Sequence, residues 1–171
     1  GAGGLMGVQK VAKAPPDSHT ILFAPQSAMA LSPHVYRAFP SDLAKSLIPA
    51  ALVATAPHIL VVRASLPQSS SAKDLIALAQ RSPGKLTFGS PGNGTLGHLM
   101  AEQFKQSAKV DISHVPFRGA GPALTDMLGG SIDMMMSDPA LAKSEIAAGK
   151  LRGLAVTGAR RSNLAPGLQS F

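Results

Sequence analysis

From residue 59 to residue 157 the chain repeats one pattern: a short apolar run, a loop marked by glycine or proline, then a longer amphipathic segment. The apolar runs fall at residues 59–63, 85–89, 110–115, 132–136 and 151–157. Their length and flanking breakers point to strands rather than helices. Ser71 is placed to cap a helix over 72–80, whose stripe is Leu75, Ile76, Leu78 and Ala79 and whose stop is Pro83-Gly84. Leu96, Leu99, Met100 and Phe104 share one face of a helix over 96–107. Pro122, as first helical residue, opens a helix that ends at Gly129-Gly130. Asp138 and Pro139 open another by the same device, and Gly149 stops it. Such alternation implies parallel pairing with helices on both faces, an α/β fold. Ligands in these sheets bind outside the carboxyl ends of the strands. Those ends are Gly89-Ser90, Pro116-Phe117-Arg118 and Ser137-Asp138.

The front of the chain is less regular. Residues 5–13 read as a short helix stopped by Pro15-Pro16. Residues 20–24 (Thr-Ile-Leu-Phe-Ala), ended by Pro25, read as a buried strand. Residues 28–39 read as partly helical, with Pro33 at an end or a break, and 47–55 as a further strand.

Composition narrows the function. The 171 residues suffice for one medium domain or two small lobes. Hydrophobic residues at 45% against 15% charged residues argue against wholesale disorder. The lack of Cys excludes disulfides, thiolate metal sites and cysteine nucleophiles. The lack of Trp and a single Tyr argue against an aromatic platform for single-stranded nucleic acid. The net charge of +7 is scattered singly, Arg160-Arg161 being the one adjacent basic pair, so nucleic acid is not the expected partner. Dispersed positive charge does suit a small anion. No apolar run approaches the ~20 residues of a membrane-spanning helix. Gly1 is not preceded by a charged-then-apolar leader, so no targeting peptide is expected in this sequence.

Two loops can carry chemistry. Gly89-Ser90-Pro91-Gly92-Asn93-Gly94-Thr95 joins a strand to a helix. Its small residues let a ligand approach the backbone, and the helix start behind it favours an anion. Ser90, Asn93 and Thr95 add polar side chains; the plainer alternative is a glycine turn with Thr95 as a cap. Pro116-Phe117-Arg118-Gly119-Ala120-Gly121-Pro122 repeats the arrangement. Arg118 can pair with a carboxylate or stand as a solvated loop charge, and Phe117 is expected to pack.

Other features read more blandly. Asp138 is expected to cap a helix, with a ligand role as the alternative. Met134-Met135-Met136 reads as buried strand. The five histidines, His19, His34, His58, His98 and His114, lack metal-ligand spacing, and His98 alone lies near the first loop. Ser90 lacks a G-x-S-x-G context because residue 88 is Phe. Gly92, Gly94 and Gly97 spell G-x-G-x-x-G with Asp111 downstream, so a nucleotide-binding, Rossmann-like enzyme is the alternative function. Asp111, however, stands at the amino end of its strand, roughly 15–20 Å from the glycines. No metal and no cofactor is expected.

These loops resemble those of a known family. Residues 84–95 (Gly-Lys-Leu-Thr-Phe-Gly-Ser-Pro-Gly-Asn-Gly-Thr) are similar to the signature loop of the tripartite tricarboxylate transporter substrate-binding proteins, also called Bug proteins. So are residues 110–119 (Val-Asp-Ile-Ser-His-Val-Pro-Phe-Arg-Gly), 121–130 and 148–157, in order. Gly1-Ala2-Gly3-Gly4 and residues 11–17 fit at the front.

The resemblance implies a periplasmic, two-lobed (type II) solute-binding protein with a parallel-sheet architecture and an incomplete first lobe. It would close around a di- or tricarboxylate or an acidic amino acid and deliver it, without catalysis, to membrane transporter subunits. Residues 1–65 would form part of the first lobe, 66–153 the second, and 154–171 a crossing strand and return, with hinge motion at 59–63 and 154–157. The family's ligand loops map onto Ser90, Asn93, Gly94 and Thr95, then Phe117, Arg118 and Gly119. On the first lobe they map onto Gln26 and Ser27, and after the fourth apolar run onto Ser137 and Asp138, where the family more often has other residues. A chain resembling the middle of the family is also open to self-association through uncovered first-lobe surface.

Overall fold

Residues 59–62 are apolar without interruption because both faces of the sheet they enter are covered. The structure, a computed structural model, describes residues 2–17, 19–36, 39, 43, 45–158, 162, 163, 165 and 167–170. Strand β1 (Ile59–Arg63) is followed by α3 (Ala72–Arg81), β2 (Thr87–Ser90), α4 (Leu96–Ala108), β3 (Ser113–Pro116) and α5 (Ala120–Leu128). Then come β4 (Met134–Ser137), α6 (Pro139–Ala147), β5 (Leu151–Val156) and the short β6 (Gln169–Ser170). Ahead of them lie α1 (Leu5–Ala12), a π-helical turn at Ser27–Leu31 and the single turn α2 (Ser32–Val35).

The strands form one sheet in the order β3-β2-β4-β1-β5-β6. β2 runs parallel to β3 and β4, as the helical crossovers require, and β5 runs parallel to β6. β1 is antiparallel to both of its neighbours, β4 and β5, so the sheet is mixed although parallel pairing dominates its β2–β4 half. Alternation along the sequence does not reveal that β1 inserts between β4 and β5 instead of beside β2.

The two-residue period of the strands sorts the core. Leu60, Val62, Phe88, Met134 and Met136 face α3 and α4, where Leu75, Ala101 and Phe104 meet them. Ile59, Val61 and Met135 face the opposite side, with Ala123 and Met127 of α5 and Ala142 of α6. The three consecutive methionines are therefore buried strand, as their pattern predicts. A third cluster stands apart: Leu5, Val8, Ala28 and Leu43, joined by half-buried residues such as Tyr36 and Phe39.

Several boundaries hold for the expected reason. Ser71 caps α3 by accepting the Asp74 amide at 3.1 Å. Lys109, in the left-handed region at φ 54°, ends α4. Pro33 lies in the first turn of α2. Other expectations fail. α5 starts at Ala120, so Pro122 is its third residue, still within the turn whose amides lack helical acceptors. Residues 20–24 and 47–55 are not strands; they have no regular secondary structure and no sheet partner among the described residues. Ile21, Phe23 and Ile48 are 83%, 82% and 91% exposed. An apolar run becomes a buried strand only where a neighbouring strand and a covering layer exist, and the sheet of residues 59–170 supplies neither to these segments. Arg37 and Ala38 of the expected 28–39 helix, and the pair Arg160-Arg161, lie outside the described residues.

Candidate functional site

The carboxyl ends of β2, β3 and β4 and the amino end of the antiparallel β1 lie at one end of the sheet. A cavity of about 310 Å³ opens there. Pro91, Thr95, Leu96 and Gly97 line it after β2, Arg118 and Gly119 after β3, and Asp138 after β4. His58 enters from the start of β1, and Gly3, Gly4, Pro25 and Ser27 close the far side.

Backbone geometry explains how the two loops meet. Ser90 and Pro116 are partners in the β2–β3 register, and the Phe117 amide continues the ladder by donating to the Ser90 carbonyl at 2.9 Å. Gly92 sits at φ 137°, and a Cβ there would stand 3.3 Å from the Phe117 carbonyl oxygen, so the second loop lies directly against the first. At Gly97 a Cβ would stand 3.0 Å from the Met136 carbonyl, which explains the small residue where α4 crosses β4.

Three helices begin at the cavity. α4 starts beside Thr95, α5 beside Gly119 and α6 beside Asp138, and these three residues line the wall. The first turn of each leaves amide hydrogens without helical acceptors, and each helix start carries about half a positive charge. Within α4 the first such acceptor bond is from the Leu99 amide to the Thr95 carbonyl, so the Leu96 and Gly97 amides remain at the wall. The Arg118 guanidinium forms no ion pair with a described residue. The arrangement can hold a small anion by main-chain donors and one cation.

Other loop amides are occupied within the loop. The Gly92 amide donates to Ser90 Oγ at 3.2 Å and the Gly94 amide to His98 Nδ1 at 3.2 Å. Thr95 does not cap α4 with its side chain; Thr95 Oγ1 donates to the Gly92 carbonyl at 2.7 Å. Beneath the loop, His114 stacks between Phe88 and His98, with centroids at 4.5 and 4.2 Å. Ser90 Oγ and His114 Nε2 are 2.7 Å apart. Burial above all, and then the facing His98, push the His114 pKa from 6.5 down to about 4, with Glu102 opposing and Lys105 assisting. The His98 pKa is also lowered, chiefly by burial. Both rings are therefore neutral near pH 7 and free to accept hydrogen bonds from the loop. Ser90 is fully buried, so this serine–histidine contact braces the loop and presents no nucleophile.

The candidate residues thus fall into two groups. Ser27, Thr95, Arg118, Gly119 and Asp138 line the cavity. Ser90, Asn93, Gly94, Phe117, Gln26 and Ser137 do not. Tyr36 donates to the Asn93 carbonyl at 2.7 Å, Gly94 packs on Val35, and Phe117 packs on the α5 side of the core. Gln26 is exposed, and the buried Ser137 hydroxyl donates to the Asp138 carbonyl at 3.2 Å. Asp138 occupies the residue before α6 without a side-chain capping bond, so its expected role as cap is not realised. Sequence reasoning missed His58, Gly3, Gly4 and the paired rings of His98 and His114. A histidine before an apolar strand carries no local signal, and the ring pair depends on β2–β3 register and the pitch of α4.

The family model of the tripartite tricarboxylate transporter family receptor matches residues 1–171. The chain belongs to this family. A curated relative, a UPF0065 protein from the tcbD–tcbE intergenic region of Pseudomonas sp. strain P51, is 38% identical over 92% of this chain and 46% of its own length. Among solved structures, the R. palustris protein Rpa4515 with adipate superposes with a TM-score of 0.90 at 33% identity, over 99% of this chain and 60% of that one. Periplasmic binding protein BugD gives 0.87 at 27% identity, over 99% and 56%. The chain has the periplasmic-binding-protein fold and spans about half the length of the curated relatives it matches. The glycines of the G-x-G-x-x-G run are explained by loop contact and helix–strand packing, and no support remains for the dinucleotide reading. Asp111 sits beyond the other end of β3, where its carbonyl accepts the Gly84 amide.

Proposed function

We propose that this receptor chain is the ligand-holding part of a periplasmic solute-binding protein, which captures a small carboxylate and passes it to the membrane subunits of a tripartite tricarboxylate transporter. One observation carries the reading: Arg118 and the amide-bearing starts of α4 and α5 surround a single cavity. The cavity volume suits a ligand of metabolite size, and the converging donors suit a carboxylate. The relative solved with adipate supports the same ligand chemistry. Capture requires no covalent step.

In this reading Ser27, Thr95, Arg118 and Gly119 touch the ligand. Ser90, Asn93, Gly94 and Phe117 hold the loops in place. Residues 1–65 contribute part of one lobe and 66–153 the other, with closure about 59–63 and 154–157; the separate apolar cluster around Leu5 and Val8 supports that division.

Calorimetric titration of the chain with adipate, malate, citrate and glutamate tests the proposal. At least one of these is expected to bind saturably, and Arg118→Ala is expected to weaken it about tenfold or more. Failure of every carboxylate to bind, or an Arg118→Ala variant with unchanged affinity, rejects it.

A further inference from the structure

His98 is the third residue of α4, after Leu96 and Gly97. A side chain at that position can turn back and accept an amide from ahead of the helix, the task of a glutamate or glutamine in a capping box. The His98 ring does this: its Nδ1 accepts the Gly94 amide at 3.2 Å. The bond ties down a tight turn, in which the Thr95 amide donates to the Gly92 carbonyl at 3.3 Å and Gly94 stands at φ 72°. Gly94 is buried against Val35, so loss of its acceptor is costly. Directly after the turn come Thr95, Leu96 and Gly97, which line the cavity. His98 is not among the lining residues; it stands behind the wall.

A histidine suits this task only while it is neutral, because the imidazolium accepts no hydrogen bond. Protonation at Nδ1 sets a hydrogen against the Gly94 hydrogen. It also places a cation at the positive end of α4, which the helix dipole disfavours. The surroundings decide when this happens. His114 of β3 is stacked on the ring at a centroid distance of 4.2 Å, with Phe88 of β2 beyond it, so charges on both rings repel. His114 stays neutral down to about 4, which leaves His98 to take the first proton of the pair. From α4 itself, Glu102 favours the charged ring and Lys105 opposes it; the two are ion-paired at 3.0 Å. On the loop side, the Tyr36 hydroxyl is engaged with the Asn93 carbonyl. Burial outweighs the pull of Glu102, so near pH 7 the turn is latched.

Resting on the carboxylate-capture reading, we propose that His98 is a positioning residue for capture: neutral, it holds the Gly94 turn that presents the start of α4 to the cavity, and protonated, it releases the turn and the bound anion together. Binding then requires the neutral ring, so the bound chain has the lower affinity for protons. By linkage, affinity for the anion falls as pH falls. Charge alone gives the opposite sign, since a cation added near an anion site strengthens binding on acidification. The direction of the pH dependence therefore separates a latch from simple attraction.

The experiment titrates adipate, malate, citrate and glutamate calorimetrically into the full chain, into His98→Leu and into His98→Asn, at about pH 7.5 and about pH 5. Asparagine offers an amide oxygen near the place of Nδ1 and does not titrate. At the higher pH, His98→Leu is expected to weaken the tightest-bound of the four acids about tenfold, and His98→Asn to restore most of that loss. On acidification the unaltered chain is expected to lose about threefold or more in affinity relative to His98→Asn, the ionisation of the acid being common to both. In the free, unaltered chain the Gly94 amide resonances should move with the titration of His98, a readout that needs neither variant nor acid. Circular dichroism verifies that the variants fold; should His98→Leu not fold, the comparison with His98→Asn and the Gly94 resonances decide. One pH profile shared by the unaltered chain and His98→Asn, or an affinity that rises on acidification relative to that variant, overturns the latch and leaves carboxylate capture standing. So does a folded His98→Leu with unchanged affinity, or a Gly94 amide indifferent to the titration of His98. Binding of none of the four acids overturns both readings.

Discussion

Gly94 shows how much a single residue of the signature loop carries. It stands at φ 72°, and a Cβ added there would lie 2.8 Å from Val35 Cγ1 and 3.0 Å from Val35 Cβ. The backbone preference and the contact act together, because a β-branched neighbour has little rotamer freedom to yield. Gly94→Ala is expected to cost about 2 kcal/mol or more of stability. Adding Val35→Ala should recover the contact part of that loss but not the backbone part, as a double-mutant cycle in urea would reveal. Gly121, inside α5 with ordinary dihedrals and open space around its Cα, is the contrasting case. Gly121→Ala should raise stability by about 0.5–1 kcal/mol, and a loss would contradict the open environment assigned to it.

At the scale of elements, strands, helices and the loops between them were legible from residue 59 onward because each is specified locally. Breakers such as Pro83-Gly84, the cap at Ser71 and the stripe through Leu75 and Ala79 act within a few residues of one another. Ser71→Ala should therefore cost about 1 kcal/mol, read from the shift in a chemical denaturation midpoint. Illegible were the features set by distant partners: the insertion of β1 between β4 and β5, the exposure of Ile21 and Phe23, and the unused capping position of Asp138. The site divided the same way. Thr95, Arg118 and Gly119 could be named from loop chemistry, whereas His58 reaches the cavity only through strand register. The His98–His114 stack under the loop is likewise a tertiary product, and it has a pH signature. An unfolded histidine takes up its proton near pH 6.5, but folded His114 does so only at about 4. Between these values the unfolded chain binds more protons, so stability rises with pH across the window and falls on acidification. His98 and His58, both lowered, act in the same direction. Melting temperatures measured from neutral pH down to about 4 should decline, and His114→Gln should make the decline shallower. A slope indifferent to that substitution would remove His114 as its source.

The whole molecule joins two unequal parts. The sheet of β1–β6 has a core on each face, while Leu5, Val8 and Ala28 form a small cluster of their own. Contacts between them converge on the loop after β2: the Tyr36 hydroxyl on the Asn93 carbonyl, Val35 against Gly94, and Gly3 beside Thr95. These contacts border the cavity, so the front of the chain and the strand ends form opposite walls of one site. Apolar burial is the main source of local stability, and the small cluster has far less of it than the sheet. Amide hydrogens of α1 are therefore expected to exchange by local opening, well before those of β1, β2 and β4 exchange by global unfolding. Tyr36→Phe removes the hydrogen bond to the loop and keeps the ring in its cluster. It should speed exchange in α1 while leaving the sheet amides unchanged. A ligand that touches both walls should reverse this order, slowing α1 exchange because opening would break its contacts. If α1 and the sheet exchanged at one common rate in the free chain, the front segment would be an integral part of the larger core, and the cavity would be a fixed cleft rather than one whose walls separate.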